Sequence, residues 1–206
     1  MLGKLTVNVD GRQRCRLRPS TSADGARMDQ IQHAVPISGE RCRHCGFEFS
    51  GDVRACIADA AQFPGDLAQV LGSVDSATVR HRRVPHEWSL LEFGAHIGDV
   101  IPWYLNRIQQ VLQEDRPQLY PADWAEAAEL GEYRRRSVQR VCDAATRACA
   151  DLIDLVTRLE PDQLTREGIG SDGSARTVEV LISRADHELV HHRHDLHYAL
   201  DQLQNA

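Results

Sequence analysis

The chain has 206 residues, 42% of them hydrophobic and 26% charged, which suits one globular domain plus a tail and is long enough to bury a core. A net charge of -6 leaves no broad basic surface, so a nucleic-acid backbone is excluded as the expected partner. No apolar run reaches the roughly eighteen residues of a spanning helix, no signal-peptide pattern opens the chain, and six scattered cysteines do not form a secreted disulfide framework; a cytoplasmic protein away from the membrane is expected.

Residues 1–40 read as a poorly structured, flexible extension. A basic patch from Gly11 to Arg18 is followed by a Ser/Thr/Gly/Asp run with little to bury, and Met28 is a second candidate initiator. Residues 41–50 read as a knuckle. Cys42-Arg43-His44-Cys45-Gly46 is the C-x-x-C-G turn in which glycine lets backbone amides face two thiolates. No second C-x-x-C completes a zinc ribbon. Cys56 and the histidines His33, His44, His81 and His86 offer ligands without a distinctive spacing, so a structural zinc, a redox pair and an inert pair all stay open.

From residue 51 onward the periodicity is helical. Val53, Cys56, Ile57, Ala60, Leu67, Val70 and Leu71 mark a first amphipathic helix, which Pro64-Gly65 is expected to kink or split. Ser89 and Glu92 then form an S-x-x-E capping box, with Trp88 and Phe93 placed as a hydrophobic staple. The second helix runs to about Gln113 on a stripe from Leu90 through Ile97 and Tyr104 to Val111, with a bend expected at Pro102. His96 lies at the edge of that stripe. Residues 114–132 are a polar connection long enough to cover a pocket mouth. A third helix is expected from about Glu132 to Leu159, ended by Glu160-Pro161-Asp162.

The fourth helix, about Val178 to Leu203, carries Asp186-His187-Glu188-Leu189-Val190-His191-His192-Arg193-His194-Asp195. On a helical wheel His192 falls within the apolar stripe, Glu188 on its shoulder and Asp195 just beyond, whereas His187 and His191 fall roughly 130–170° from the stripe centre. Residues four apart stand one turn above each other, so Glu188 and His192 are the pair that faces a neighbouring helix, and His187 with His191 the pair that faces outward. Two other readings of this stretch stand beside that one. His187-Glu188-Leu189-Val190-His191 spells the H-E-x-x-H of zinc peptidases, and a solvated histidine-rich face needs no site at all.

Four long helices without a strand pattern give an all-α four-helix bundle over residues 51–206, in which sites are assembled from facing helices. His96 with Glu188 and His192 fits that rule. Three protein ligands leave open positions for water or substrate, the catalytic arrangement of a divalent metal such as zinc.

Trp88-Ser89-Leu90-Leu91-Glu92 followed by His96, together with Glu188-x-x-x-His192-x-x-Asp195, resembles the paired signatures of the DinB-like superfamily of metal-binding four-helix proteins. The last-helix pattern is similar to its mycothiol-dependent branch, which includes the maleylpyruvate isomerase metal-binding domain. The resemblance covers about residues 51–203. It implies the metal triad His96, Glu188 and His192 and a low-molecular-weight thiol such as mycothiol as co-substrate. A thiol S-transferase or isomerase acting on a small electrophile is then expected, with Asp195 orienting His192 and Arg107 or Arg193 attracting an acidic substrate. A non-catalytic metal or redox sensor is the alternative, and exposed helix faces leave room for a homodimer.

Overall fold

A computed structural model describes residues 39–49, 52–85 and 87–205. The expected extension up to residue 38, its basic patch and Met28, and the candidate ligands His33 and His86 lie outside the described residues.

The elements in chain order are α1 (Ala55–Gly72), α2 (Leu90–Gln113), β1 (Gln118–Leu119), α3 (Trp124–Leu130), α4 (Val138–Arg158), β2 (Glu167–Gly170), β3 (Ala175–Thr177) and α5 (Val178–Gln204). The long helices α1, α2, α4 and α5 make a bundle. Each of α1 and α2 packs against both α4 and α5 and only slightly against the other, so two consecutive helices stand diagonally across the core. The apolar stripes read from the sequence supply much of that core, with Leu67, Ile97, Ile108, Leu152, Ile182 and Leu189 all buried, and Phe63, Leu91 and Ile101, outside those stripes, add to it.

The capping box is formed. The Glu92 carboxylate accepts from the Ser89 backbone N–H (2.9 Å) and hydroxyl (2.8 Å), and the Trp88 and Phe93 rings meet at 5.9 Å. Side-chain caps also start α3, α4 and α5, from Asp123, Ser137 and Thr177. Because Ser137 is that cap, the expected third helix begins at Val138 rather than Glu132; a 3-10 turn at Tyr133–Arg135 precedes it. Pro64 does not split α1, and α2 runs unbroken through Pro102. The cost of a missing backbone donor in α1, about 3 kcal/mol, is offset by the burial of Phe63 and Leu67 on either side of it.

The expectation of no strands is corrected. Three short strands form a sheet in the order β1-β2-β3, β1 parallel and β3 antiparallel to β2. Runs of two to four residues interrupted by Gly168 and Gly170 are too short for an alternating pattern to show in the sequence. The sheet leaves the bundle intact and joins the end of α2 to the start of α5. Arg166, just before β2, donates to the Val111 and Glu114 carbonyls, which α2 leaves without helical partners.

Helices α2 and α4 meet closely at Gly98, where an added Cβ would lie 2.9 Å from the Ala144 Cβ. Gly98→Leu is therefore expected to lower stability by about 1–3 kcal/mol through overpacking, read as a reduced Tm. Gly98→Ala is expected to lose less, because alanine recovers up to about 1 kcal/mol of helix propensity. Equal Tm values for wild type and the leucine variant would show that the two helices are not in tight contact here.

Candidate metal centre

Helix α2 supplies His96 and the adjacent α5 supplies Glu188 and His192. One donor atom from each lies within 4.8 Å of the other two. The Glu188 Oε2 stands 3.5 Å from His96 Nε2 and 3.3 Å from His192 Nε2. Two such donors bound to one tetrahedral zinc lie about 3.4 Å apart, given metal–ligand distances of about 2.1 Å, so the spacing of Glu188 from each imidazole fits a divalent cation.

Asp195 completes the arrangement. Its Oδ2 lies 2.9 Å from His192 Nδ1, which fixes that ring and directs the other nitrogen toward Glu188. Burial pulls the His192 pKa down, but its bonds to Asp195 and Glu188 outweigh burial and hold it up at about 9. Burial likewise pushes the Glu188 carboxyl up, and the two imidazoles more than reverse this, holding it well below the usual range. His96, whose largest influence is burial, is shifted down toward the neutral ring that a cation requires. Counter-charge and two imidazoles thus converge on one point, where a cation can take the place of a proton.

The walls are aromatic. Trp88 and Trp124 lie 4.8 and 4.9 Å from the His96 ring, and Phe93 lies 5.5 Å from His192. Trp124 comes from α3, in the connection expected to cover a pocket mouth, and its buried Nε1–H has no protein acceptor. On the polar side of the site, sequence reasoning named Arg107 but missed Tyr104 and Arg184. Tyr104 is buried beside Glu188, its hydroxyl pushed up first by burial and then by that charge, and the Arg184 guanidinium acts in the opposite sense. Arg107 stacks on Trp103 at 3.6 Å, and burial, with Arg176 and Arg184 nearby, brings it down to about 10. The signal available was Arg184, one turn before Glu188 on the same helix face.

Three expectations are corrected. Arg193 does not face the site; it pairs with Asp59 at 3.0 Å and Gln62 at 3.2 Å on α1. The H-E-x-x-H reading fails because Glu188 bonds to His96 and His192, on a different face from His187 and His191. Nor does that outer pair stand open to solvent, His191 being only partly exposed. His187 is buried, and the hairpin of residues 39–49 covers it with Phe47 and Phe49, 5.4 and 5.0 Å ring to ring.

Known proteins share this architecture. YfiT from Bacillus subtilis, described as "a probable metal-dependent hydrolase with an unusual four-helix bundle topology", superposes with a TM-score of 0.66 at 16% identity, covering 74% of this chain and 87% of its own. The mycothiol-dependent maleylpyruvate isomerase superposes with a TM-score of 0.53 at 13% identity over 66% of this chain, which spans 57% of that enzyme. No curated protein matches in sequence. The sequence profile of the DinB superfamily matches residues 60–196, well over half the chain and inclusive of all three candidate ligands, and the protein belongs to that superfamily.

Proposed function

We propose that the protein is a metal-dependent enzyme that binds one divalent cation, zinc by its donor set, through His96, Glu188 and His192 and activates a low-molecular-weight thiol of the mycothiol type for transfer to, or isomerisation of, a small acidic electrophile. The observation that carries this reading is the convergence of two buried imidazoles and one partly buried carboxylate within 4.8 Å. The thiol is suggested by the structural neighbour that is a mycothiol-dependent isomerase. The description of the other neighbour favours a second reading, in which water occupies the same position and the reaction is hydrolysis.

The chemistry a cation supplies there when bound is Lewis acidity, which holds a coordinated thiol as its thiolate near neutral pH. The protein does the rest. Asp195 holds His192 in one tautomer, and Glu188 supplies the negative charge that balances a cation. The Trp88, Phe93 and Trp124 rings exclude water and strengthen each charge interaction inside. The guanidinium groups of half-buried Arg107 and buried Arg184 provide the positive side on which an acidic substrate can be oriented. Tyr104, kept protonated by its surroundings, is a hydrogen-bond donor rather than a base.

Elemental analysis of the purified protein is expected to show a divalent metal at this centre, one equivalent of which is lost in His96→Ala. Incubation with mycothiol and a panel of acidic or halogenated electrophiles is expected to consume thiol in a chelator-sensitive way. Tight metal binding with no turnover across thiols or hydrolysable esters would instead identify a non-catalytic metal sensor. Metal content unaltered in His96→Ala would remove the site itself.

A further inference from the structure

The hairpin of residues 39–49 lies against the outer face of α5. One pair of facing residues, Arg41 and Glu48, bridges its two arms, and Gly39 and Phe49 are hydrogen-bonded at its base. A two-stranded hairpin of this size is marginal alone, and only Phe47 and Phe49 give it apolar anchors on His187.

Four ligand-type side chains meet under it. Cys42 and Cys45 from the hairpin and His187 and His191 from α5 bring one donor atom each to within 4.8 Å of the others. We propose that these four residues bind one zinc ion as a closed structural site, separate from the His96, Glu188 and His192 centre, which fastens the hairpin to α5.

Four independent features agree. The Cys42 Sγ lies 3.6 Å from His191 Nδ1, and sulfur and nitrogen on one tetrahedral zinc lie about 3.6 Å apart. His187 Nε2 is buried with no hydrogen-bond partner, an arrangement costly for an imidazole unless an unseen ligand takes it. The backbone has the shape of a zinc knuckle: Gly46 adopts φ +76°, its N–H bonds to the Cys42 carbonyl at 2.9 Å, and the Phe47 N–H faces the Cys45 sulfur. Finally, His191 Nε2 lies 3.5 Å from Asp195 Oδ2, so a carboxylate stands behind the ring whose Nδ1 faces the thiols.

Two thiolates and two imidazoles are a zinc donor set with no position left for substrate. A competing set of His44, His191 and Asp195 shares one ligand, but the His44 side chain is 52% exposed and bonds Asp195 directly at 2.7 Å. It closes over the site rather than coordinating. Both cysteines are free thiols, available as ligands.

The bundle centre has no sulfur, and that separates the two experimentally. Cobalt(II) exchanged into the full chain is expected to give the sulfur-to-metal charge-transfer absorption of a two-thiolate tetrahedral site. Glu188→Ala should retain that absorption. The double variant Cys42→Ser, Cys45→Ser should lose it together with one equivalent of zinc, and should keep the cation of the bundle centre. In the wild type, maleimide labelling of Cys42 and Cys45 should require prior chelation, a readout independent of any variant. Absence of the sulfur band, unchanged zinc content in the double variant, or labelling unaffected by chelation would each overturn the proposal.

Discussion

Replacing Arg82 by alanine is expected to destabilise the protein by about 3 kcal/mol, near the lower end of what removing one partner of a buried ion pair costs. On a domain of this size that lowers Tm by roughly 6–12 °C. Glu92 is almost fully buried, and the Arg82 guanidinium forks onto its carboxylate, with Nε at 3.1 and 2.9 Å from the two oxygens. Burial alone would push the Glu92 carboxyl up. Arg82 and the bonds from Ser89 reverse that and hold it below its ordinary value. A depressed carboxylate contributes stability above its unfolded pKa and loses it as pH falls through the folded one. Without Arg82 the burial influence is less opposed, and the sign moves toward destabilisation of the ionised form at neutral pH. The deficit of the variant should therefore be largest near pH 7 and should shrink toward pH 4, as followed by urea denaturation. A deficit that is the same at both pH values would mean that packing, not charge, accounts for it. The pair also anchors the first turn of α2, one turn before His96, so the variant should bind metal less tightly as well.

Removing the shared carboxylate should produce the largest functional loss. Glu188→Ala is expected to weaken metal binding at the bundle centre by more than about 100-fold, beyond the effect typical of a group that only supports a ligand. Glu188 Oε2 is the one atom that both imidazoles face, and it carries the only negative charge directly between them. Glu188→Gln offers an oxygen of the same reach without the charge, and should fall between wild type and alanine. Competition against a chromogenic zinc chelator measures all three. Affinities within a few-fold of one another would mean that His96 and His192 do not bind a cation with this carboxylate.

The parts of the molecule that were legible in the sequence are those encoded locally. Ser89, Glu92, Trp88 and Phe93 lie within six positions, and their capping box and staple formed as read. The helical wheel of α5 selected Glu188 and His192 over His187 and His191 because the stripe of Leu181, Ile182, Ala185, Leu189 and Leu196 fixes which face meets α2. What escaped depends on residues far apart. Arg82 is ten positions from the glutamate it neutralises, and nothing in its neighbours marks it as an ion-pair partner. Cys42 and His191 are 149 positions apart, so the C-x-x-C turn could be recognised while its partners on α5 could not. The face called outward was outward only from the bundle, since eleven residues from the far end of the chain cover it. The sheet was lost because a two-residue strand has no period.

Asp195 touches both groups of histidines. One of its oxygens is shared by His192 and His191, and the other is taken by His44. A single carboxylate divided in this way makes two otherwise distinct places speak to each other: whatever draws it toward the hairpin withdraws it from the bundle. Thermodynamic linkage requires the exchange to be mutual, so a factor by which one place alters the affinity of the other is returned unchanged. In this protein one carboxylate therefore touches both the hairpin, through His44, and the His192 ring of the bundle centre.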